Sequence, residues 1–308
     1  METMELHSVT LKNILLATDF SEASRRAVPY AAAIASRYGS KIYLVHVIPP
    51  GARMSMPIEP FPPELEDDRV KAGREMMDFL QANPLGGIPR EVVLEQGPIR
   101  DALSALIKRD DINLLILGTH GRGGLKKVFL GSVAEELFRL APCPVLTVGP
   151  AVPAAPAGPK EIRRILFATD FGPASLHALH YAISFATESQ ARLTLLHVVM
   201  PVPVLDVGPY WYAGTNPVEQ QKTEKARYLG RLKDLIPPTA NLPFDPEFLV
   251  DFDFTPDAIV KIAEDAKADL IVMGVNQTAS ARASAHLPWA TAHEVVCHAK
   301  CPVLTVRS

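Results

Sequence analysis

The chain is an imperfect internal duplication, and no other sequence feature constrains its fold as strongly. The segment NILLATDF at residues 13–20 recurs as RILFATDF at 164–171, an offset of 151 residues. The apolar run CPVLTV stands at 143–148 and again at 301–306, with the offset grown to 158. Matches of this kind at both ends of each copy, with small shifts between them, indicate a duplicated domain with loop insertions and deletions.

Each copy has the size of one ordinary domain, because 308 residues divide into two units of roughly 150 residues. We expect one domain over residues 1–149 and a second over 161–308. Residues 150–160 between them are rich in proline and alanine and show no hydrophobic period, which is typical of a semi-rigid linker.

Short apolar runs alternate with helical periodicity in each copy, the pattern of a parallel sheet with helices on both faces. The fold class predicted is therefore α/β, with two tandem, doubly wound, open parallel sheets of five strands each. In the first copy strands are expected near 13–18, 42–48, 91–95, 114–118 and 144–148, with helices near 22–38 and 64–80, from Pro98, and from an N-cap at Ser132 to Leu140. In the second copy helices are expected near 173–189, 217–235, 256–267 and 289–299.

Charge and composition exclude several classes of function. The net charge is −3 and neither half is basic, so a nucleic-acid partner is not expected. No apolar run approaches the roughly 20 residues that span a bilayer, and the start METMELHSV lacks the cationic region of a secretory signal. We therefore expect no membrane contact and a cytoplasmic location. Three cysteines do not form a disulfide framework, which agrees with a reducing compartment.

Residues suited to binding phosphate follow the fourth strand of the first copy. The sequence GTHG at 118–121 is followed by nine residues and then by Gly131-Ser132. In an open parallel sheet, ligands bind outside the carboxyl ends of the strands, where glycines let backbone amides approach phosphate oxygens. The next helix begins near Gly131, so its free N–H groups can face an anion. Arg122, Lys126 and Lys127 between these glycines either screen phosphate or are ordinary solvated cations.

The segment GTHGRGGLKKVFLGSVAEELFRLAPCPVLTV at 118–148 resembles the C-terminal signature of the universal stress protein family, and TDFS at 18–21 resembles its N-terminal signature. The resemblance covers both halves and implies an adenine nucleotide alpha hydrolase-like fold that binds ATP with Mg²⁺. Positions that match the nucleotide-binding residues of the family are Asp19, Val47, Gly118, Gly121, Gly131, Ser132 and Val133. Thr18, His120 and Arg122 are further candidates beside the nucleotide.

Some of these residues also have a structural interpretation. Asp19 can hold the turn that leads into the first helix, and Asp170 persists at the equivalent position of the second copy. His46 and His197 occupy equal places near strand ends, where histidines with satisfied hydrogen bonds are the more common occurrence.

The second copy departs from the pattern where a nucleotide would bind. Gly274 is retained, but Gln277 stands in place of Gly121, and Trp289-Ala290 in place of Gly131-Ser132. A tryptophan there is expected to fill the site, so we predict that the second half does not bind ATP in the family manner. It serves either as a structural unit or as a site for another ligand or partner, with the segment 251–257 and the run PYWY at 209–212 as candidates.

Motifs that would assign a reaction are lacking. The sequence has no GxxxxGK[ST] loop and no GxSxG elbow, so no catalytic residue is assigned. The run HEVVC at 293–297 departs from the HExxH zinc motif at its fifth position, and a metal site is not expected.

Three functions remain open from the residues alone. The leading one is an ATP-binding sensor or regulator of the stress response. A slow ATPase or self-phosphorylating enzyme that uses Ser132, and a nucleotide-free structural protein, are the alternatives. In the family, subunits commonly pair through their last strands. Both copies end in CPVLTV, so an internal pseudo-twofold dimer is expected, and a homodimer of whole chains stays open.

Overall fold

The structure, a computed structural model, describes residues 9–50, 64–119, 131–154, 159–200, 217–275 and 288–307. The first half contains β1 (Asn13–Ala17), α1 (Glu22–Tyr38), β2 (Lys41–Ile48), α2 (Glu64–Ala82), β3 (Arg90–Gln96), α3 (Ile99–Arg109), β4 (Leu114–Gly118), α4 (Ser132–Leu140) and β5 (Val145–Val148). The second half repeats this order with β6 (Arg164–Ala168), α5 (Pro173–Ser189), β7 (Arg192–Val199), α6 (Pro217–Asp234), β8 (Glu247–Phe252), α7 (Thr255–Asp265), β9 (Leu270–Val275), α8 (Pro288–His298) and β10 (Val303–Arg307). The α/β fold predicted from the repeats is confirmed. Within these ranges no helix combines the length and apolar character that a membrane crossing requires.

All ten strands form one sheet in the order β3-β2-β1-β4-β5-β10-β9-β6-β7-β8. Strands within each half are parallel, whereas β5 and β10 are antiparallel, with Leu146 opposite Leu304. Because equivalent strands pair in opposite directions, the halves are related by an approximate twofold axis at this junction. The expected pairing through the two CPVLTV strands is therefore confirmed, and it covers the edge that each half would otherwise expose.

The sheet is buried on both faces, which explains its near-continuous apolar strands. Successive side chains of a strand point to opposite faces, so Ile14 and Leu16 join one core cluster while Leu15 joins the other. Helices α1, α2, α5 and α6 cover the first face, and α3, α4, α7 and α8 cover the second. The carboxyl ends of β1, β2 and β4 consequently open between α3 and α4.

Helix ends place the backbone groups that matter for the candidate site. At α1, Ser21 is the N-cap and accepts from the Ser24 amide at 3.3 Å, and Gly39 ends the helix in a left-handed conformation at φ 65°, both as predicted. At α4 the prediction was wrong by one residue. Gly131 is the N-cap and Ser132 is the first helical residue, so no side chain caps this helix. Its first-turn N–H groups consequently lack an N-cap side chain as acceptor.

The junction between the halves is not symmetric in detail. The Arg307 guanidinium donates to the carbonyl oxygen of Phe138, near the end of α4. At the equivalent position stands Gly149, where an added Cβ would lie 2.1 Å from the carbonyl oxygen of Val296 in α8. On one side of the junction a side-chain hydrogen bond from Arg307 joins the halves, and on the other side the backbone at Gly149 packs directly against α8.

Candidate functional site

A cavity of about 380 Å³ lies at the carboxyl ends of β1, β2 and β4, bounded by α3 and α4. Its wall brings together five of the predicted site residues: Thr18, Asp19, Val47, Gly118 and Gly131. Three others, His120, Gly121 and Arg122, lie outside the described residues. Ser132 and Val133 follow Gly131 as the first residues of α4, and their side chains are outside the described part.

The turn after β1 is held by its own side chains. The Thr18 hydroxyl accepts from the Phe20 amide at 3.0 Å and donates to the Ser24 hydroxyl at 3.0 Å. Phe20 has φ 65°, a left-handed conformation that an aromatic residue rarely adopts. Phe171 at the equivalent position has φ 61°. Both halves therefore retain the same strained turn, which fixes where the following helix begins.

Asp19 is part of this turn as well as of the cavity wall. Its Oδ1 accepts from the Ser21 amide at 3.0 Å and from the Ser21 hydroxyl at 2.5 Å. In the second half Asp170 Oδ1 accepts from the Gly172 amide at 2.8 Å and the Ser175 hydroxyl at 2.7 Å. The structural interpretation of this aspartate thus applies to both halves, and a ligand role in the first half would be additional to it.

Gly118 is required by packing, whatever binds in the cavity. A Cβ at this position would lie 2.3 Å from the carbonyl oxygen of Ala23, in the first turn of α1. At Gly274 it would lie 2.2 Å from the Ser175 amide nitrogen. Since real Cβ atoms do not approach backbone so closely, β4 and β9 reach the start of α1 and α5 only with glycine. Survival of Gly274 in the second copy therefore carries no information about nucleotide.

Gly131 differs from Gly118, because its backbone conformation does not require glycine. Its φ of −61° and ψ of 149° are open to any residue, and its amide donates to the Thr119 carbonyl at 2.7 Å. Thr119 and Gly131 therefore lie side by side at one edge of the cavity. Without a side chain at 131, the start of α4 faces the cavity directly, an arrangement that favours an anion there.

His46 lines the same cavity and is also part of the framework. Its Nδ1 lies 2.8 Å from the carbonyl oxygen of Thr18, and in the second half His197 Nδ1 lies 2.8 Å from that of Thr169. Each imidazole also lies against the phenylalanine of the turn, with ring centroids 4.3 and 4.6 Å apart. Burial lowers the pKa of His197, which favours a neutral ring. The repeated hydrogen bond supports the structural interpretation of both residues.

Comparison with known proteins decides the family. The sequence model described as "Universal stress protein family" matches residues 10–149 and again 161–307, nearly the whole chain. The chain belongs to the universal stress protein family.

Relatives support this assignment of a tandem universal stress protein. A universal stress protein of Thermus aquaticus is 34% identical over 138 residues, which cover 44% of this chain and 98% of that protein. A universal stress protein of Mycolicibacterium smegmatis is 29% identical over 234 residues, 74% of this chain and 76% of its own. The crystal structure of a universal stress protein from Archaeoglobus fulgidus superposes with a TM-score of 0.66 at 18% identity, covering 96% of this chain and 98% of that one, which shows the shared fold.

The second universal stress protein half retains a cavity at the equivalent position, and its volume of about 630 Å³ exceeds that of the first. The wall again includes Asp170 and Gly274, but Asp257 and Glu294 are added. Asp251, also considered from the sequence, lies in β8 away from this wall. Gln277, the run at 209–212 and the side chain of Trp289 lie outside the described residues, so the filling of this site by tryptophan stays a prediction.

Sequence reasoning included Asp257 through the segment 251–257 but missed Glu294, the second acidic residue at the rim of this cavity. In the first half Glu136, the equivalent of Glu294, accepts from the Arg100 guanidinium at 3.1 Å. Pro256 replaces that arginine in the second half. Among the described residues, the ion pairs of Glu294 are with His293 and His298, at 3.9 and 3.6 Å. The repeat alignment carried this signal, since it sets Arg100 against Pro256.

The cysteines of this universal stress protein belong to its core or pack against it: Cys297 and Cys301 are buried, and Cys143 is partly buried. Burial raises the pKa of both Cys143 and Cys301 to about 12, so neither is a thiolate near neutral pH. Cys297 of the HEVVC run is also buried, at 1% exposure. In the part of the chain that the structure describes, no three side chains of His, Cys, Asp or Glu come close enough together to hold a metal ion.

Proposed function

We propose that the first half binds an adenine nucleotide, ATP in the first instance, and that the protein is a nucleotide-dependent sensor or regulator. The observation that carries this proposal is the cavity where Asp19, Val47 and Gly118 meet the uncapped start of α4 at Gly131. A cavity of about 380 Å³ is within the range of sites for small molecules.

The chemistry of the wall gives the nucleotide an orientation. Apolar residues of β2 and α3, among them Val47, Ile99 and Leu103, suit a base, and the start of α4 suits phosphate. The segment 120–130 joins the wall at Thr119 and Gly131, and its sequence contains Arg122, Lys126 and Lys127. Cations in this part of the sequence suit a ligand with several negative charges.

Mg²⁺ would enter with the nucleotide. In protein sites this ion takes phosphate oxygens, water and one or two carboxylates. Asp19 is the one carboxylate among the described wall residues, and its Oδ1 already accepts from Ser21. Phosphate oxygens and water would therefore supply most of the ligands of the Mg²⁺ ion. We expect ATP affinity to fall when magnesium is chelated.

Calorimetric titration of Mg²⁺-ATP into the wild type and the Gly131→Trp variant tests the proposal. This substitution introduces the residue of the second half at the start of α4. We expect one site per chain in the wild type and none in the variant. Trp289→Gly, the reverse change at the equivalent position, is the matched control and should retain one site, because Asp257 and Glu294 still repel phosphate.

Each other result has a definite meaning. One site indifferent to Gly131→Trp would place nucleotide outside the first-half cavity and contradict the assignment. No binding to the wild type would remove the proposal. Unfolding midpoints of both variants show whether a lost site reflects a lost fold.

A further inference from the structure

A third cavity lies at the contact between the two halves and shares no wall residue with the two described above. Its volume is about 810 Å³. The end of α1 with Arg37, the chain segment 159–164 that leads into β6, the start of β7 and Phe244 form its wall. We name it the interdomain cleft. Because linker and both halves contribute to it, the cleft exists only in a tandem chain.

The interdomain cleft is strongly basic in a chain whose net charge is −3. Its wall contains one carboxylate, Glu161, which forms an ion pair with Arg163. The neighbouring residues 155–158, outside the described ranges, are Ala-Pro-Ala-Gly and add no charge. Five cations line the cleft: Arg37, Lys160, Arg163, Arg164 and Arg192. Apart from Arg163, none of them forms an ion pair with any carboxylate of the described residues.

Backbone register holds two of these cations side by side. Arg164 and Arg192 are directly opposite each other in the parallel pair β6–β7. Neighbouring strands lie about 4.8 Å apart, and like charges directly opposite destabilise a sheet. Asp269 is close, but its Oδ2 accepts from the backbone amides of Arg163 and Arg164, at 2.9 and 3.1 Å. In the described part of the chain Asp269 forms no ion pair with Arg164 or Arg192, so its charge offsets only part of the repulsion between the two guanidinium groups.

The first half shows how the same positions look when the charge is balanced. There, Asn13 stands opposite Lys41, so only one cation is present. The Lys41 ammonium donates to Glu91 Oε2 at 2.7 Å, across to β3. At the place of Arg37, the second half has Glu188. The equivalent surface of the first half therefore has no excess of positive charge.

The second half contains a carboxylate equivalent to Glu91 but uses it differently. Glu247 Oε2 accepts from the Thr194 hydroxyl at 3.4 Å, and it forms no ion pair with Arg192 within the described part of the chain. The Arg192 guanidinium instead lies over the Phe244 ring, with Cζ 4.8 Å from the centroid. The ring fixes the guanidinium while leaving its N–H groups available to another acceptor.

We propose that the interdomain cleft is a second ligand site, which binds a small anion carrying two or more adjacent phosphate groups. A planar guanidinium binds phosphate through two parallel hydrogen bonds, and Arg164 and Arg192 present two such groups at neighbouring strand positions. A single phosphate would balance only part of the charge of five cations, whereas linked phosphates reach several of them. The partial negative charge at the ends of α1 and α5, about half a unit each, is small beside that excess.

Titration of inorganic tripolyphosphate into the Gly131→Trp variant tests the site, because that substitution closes the candidate nucleotide cavity. We expect one site per chain, at least about tenfold weaker when Arg164→Gln and Arg192→Gln are added. Orthophosphate should bind at least about tenfold more weakly than tripolyphosphate. Lys41→Gln, at the position equivalent to Arg192 in the first half, is the matched control and should leave tripolyphosphate affinity unchanged.

Thermal unfolding of the otherwise wild-type chain gives a readout that does not depend on Gly131→Trp. Without ligand at low salt, Arg164→Gln should raise the midpoint, because it removes the repulsion with Arg192. Tripolyphosphate should raise the midpoint of the wild type by more than that of the double arginine variant. The proposal would be overturned if the wild type and the double arginine variant bound tripolyphosphate equally. It would also be overturned if the double arginine and Lys41→Gln variants weakened binding equally, because that would indicate general attraction of anions only. Because ATP also carries linked phosphates, its titration is repeated in the chain with Arg164→Gln and Arg192→Gln. There the cleft is weakened, and a site that is lost with Gly131→Trp belongs to the first-half cavity alone, so either proposal can fail alone.

Discussion

The cavities of the two halves are built on the same framework but differ at the start of the helix that borders each cavity, where a phosphate would lie in the first half. Both have a threonine-aspartate-phenylalanine turn with a left-handed phenylalanine and a histidine bonded to the threonine carbonyl. Both also have a glycine packed against the start of the helix that follows this turn. The start of α4 has Gly131, whereas α8 has Trp289 at that position. Residues that the copies share thus have a role in the fold, and Gly131 and Trp289 mark a position at which the two copies differ.

The charges at the rims of the two cavities also differ between the halves. Glu136 of the first half is balanced by Arg100, while Glu294 of the second half has lost that partner to Pro256 and stands with Asp257 at the cavity. A rim with uncompensated carboxylates repels phosphate. The second cavity is larger than the first but has two carboxylates in addition to Asp170 in its wall, so we expect it to be less suited to a nucleotide.

Substituting the shared glycines should have the largest effect on this comparison. Gly118→Ala places a Cβ within 2.3 Å of backbone at the start of α1, and Gly274→Ala does the same at the start of α5. We expect both to lower the free energy of unfolding by roughly 3 kcal/mol or more, because backbone cannot move aside as a side chain can. Chemical denaturation of the whole chain measures both.

Gly87→Ala is the control for the glycine pair, since nothing lies within 4 Å of a Cβ there. We expect it to change stability by no more than about 0.5 kcal/mol. A Gly274→Ala protein as stable as the wild type, beside a destabilised Gly118→Ala protein, would mean that the two glycines do not share a packing role.

Substituting Asp19 and Asp170 should distinguish a structural role from a ligand role, with a smaller effect on stability than the glycine substitutions. Asp19→Asn and Asp170→Asn both retain an oxygen that accepts the hydrogen bonds of the turn, so we expect at most about 1 kcal/mol of lost stability in either. Loss of the Asp19 charge should weaken Mg²⁺-ATP binding at least about tenfold, whereas Asp170→Asn should leave it unchanged. Calorimetry and urea unfolding on the same samples distinguish the outcomes. Equal ATP affinity in both variants would restrict Asp19 to its structural role.

The fold could be predicted because its determinants are local. Apolar runs of four to eight residues, separated by helical periodicity and repeated at an offset of 151 to 158 residues, leave few alternatives to a doubly wound sheet. The cap of α4 was misplaced by one residue because Ser132 is a favourable N-cap type, while Gly131 holds the turn through its bond to Thr119.

Features that depend on contacts between distant segments were not predictable. Gly118 was attributed to phosphate because the sequence does not show how closely α1 approaches β4. The interdomain cleft was missed for a similar reason. Arg37, Lys160 and Arg192 are far apart in sequence and converge only when β6 pairs with β7 and the linker crosses the end of α1.

The smallest expected effect concerns the histidine of the second half and its dependence on pH. Desolvation by burial lowers the pKa of His197 from its ordinary 6.5, and the nearby Arg231 charge acts in the same direction, although the bond to the Thr169 carbonyl opposes them. The folded chain therefore binds a proton at this site less readily than the unfolded chain. Stability from His197 is complete above the unfolded pKa and declines as pH falls below about 6.5.

Replacing His197 with glutamine isolates this contribution, because the other titrating groups are common to both proteins and cancel in the difference. We expect the wild type to lose more free energy of unfolding than His197→Gln between about pH 7.5 and about pH 5.5. An NMR titration of the imidazole protons should show a midpoint below 6.5 in the folded wild type. A midpoint above that value would mean that the bond to Thr169 outweighs burial. Stability would then increase on acidification, and the structural histidine of the second half would be a protonated one.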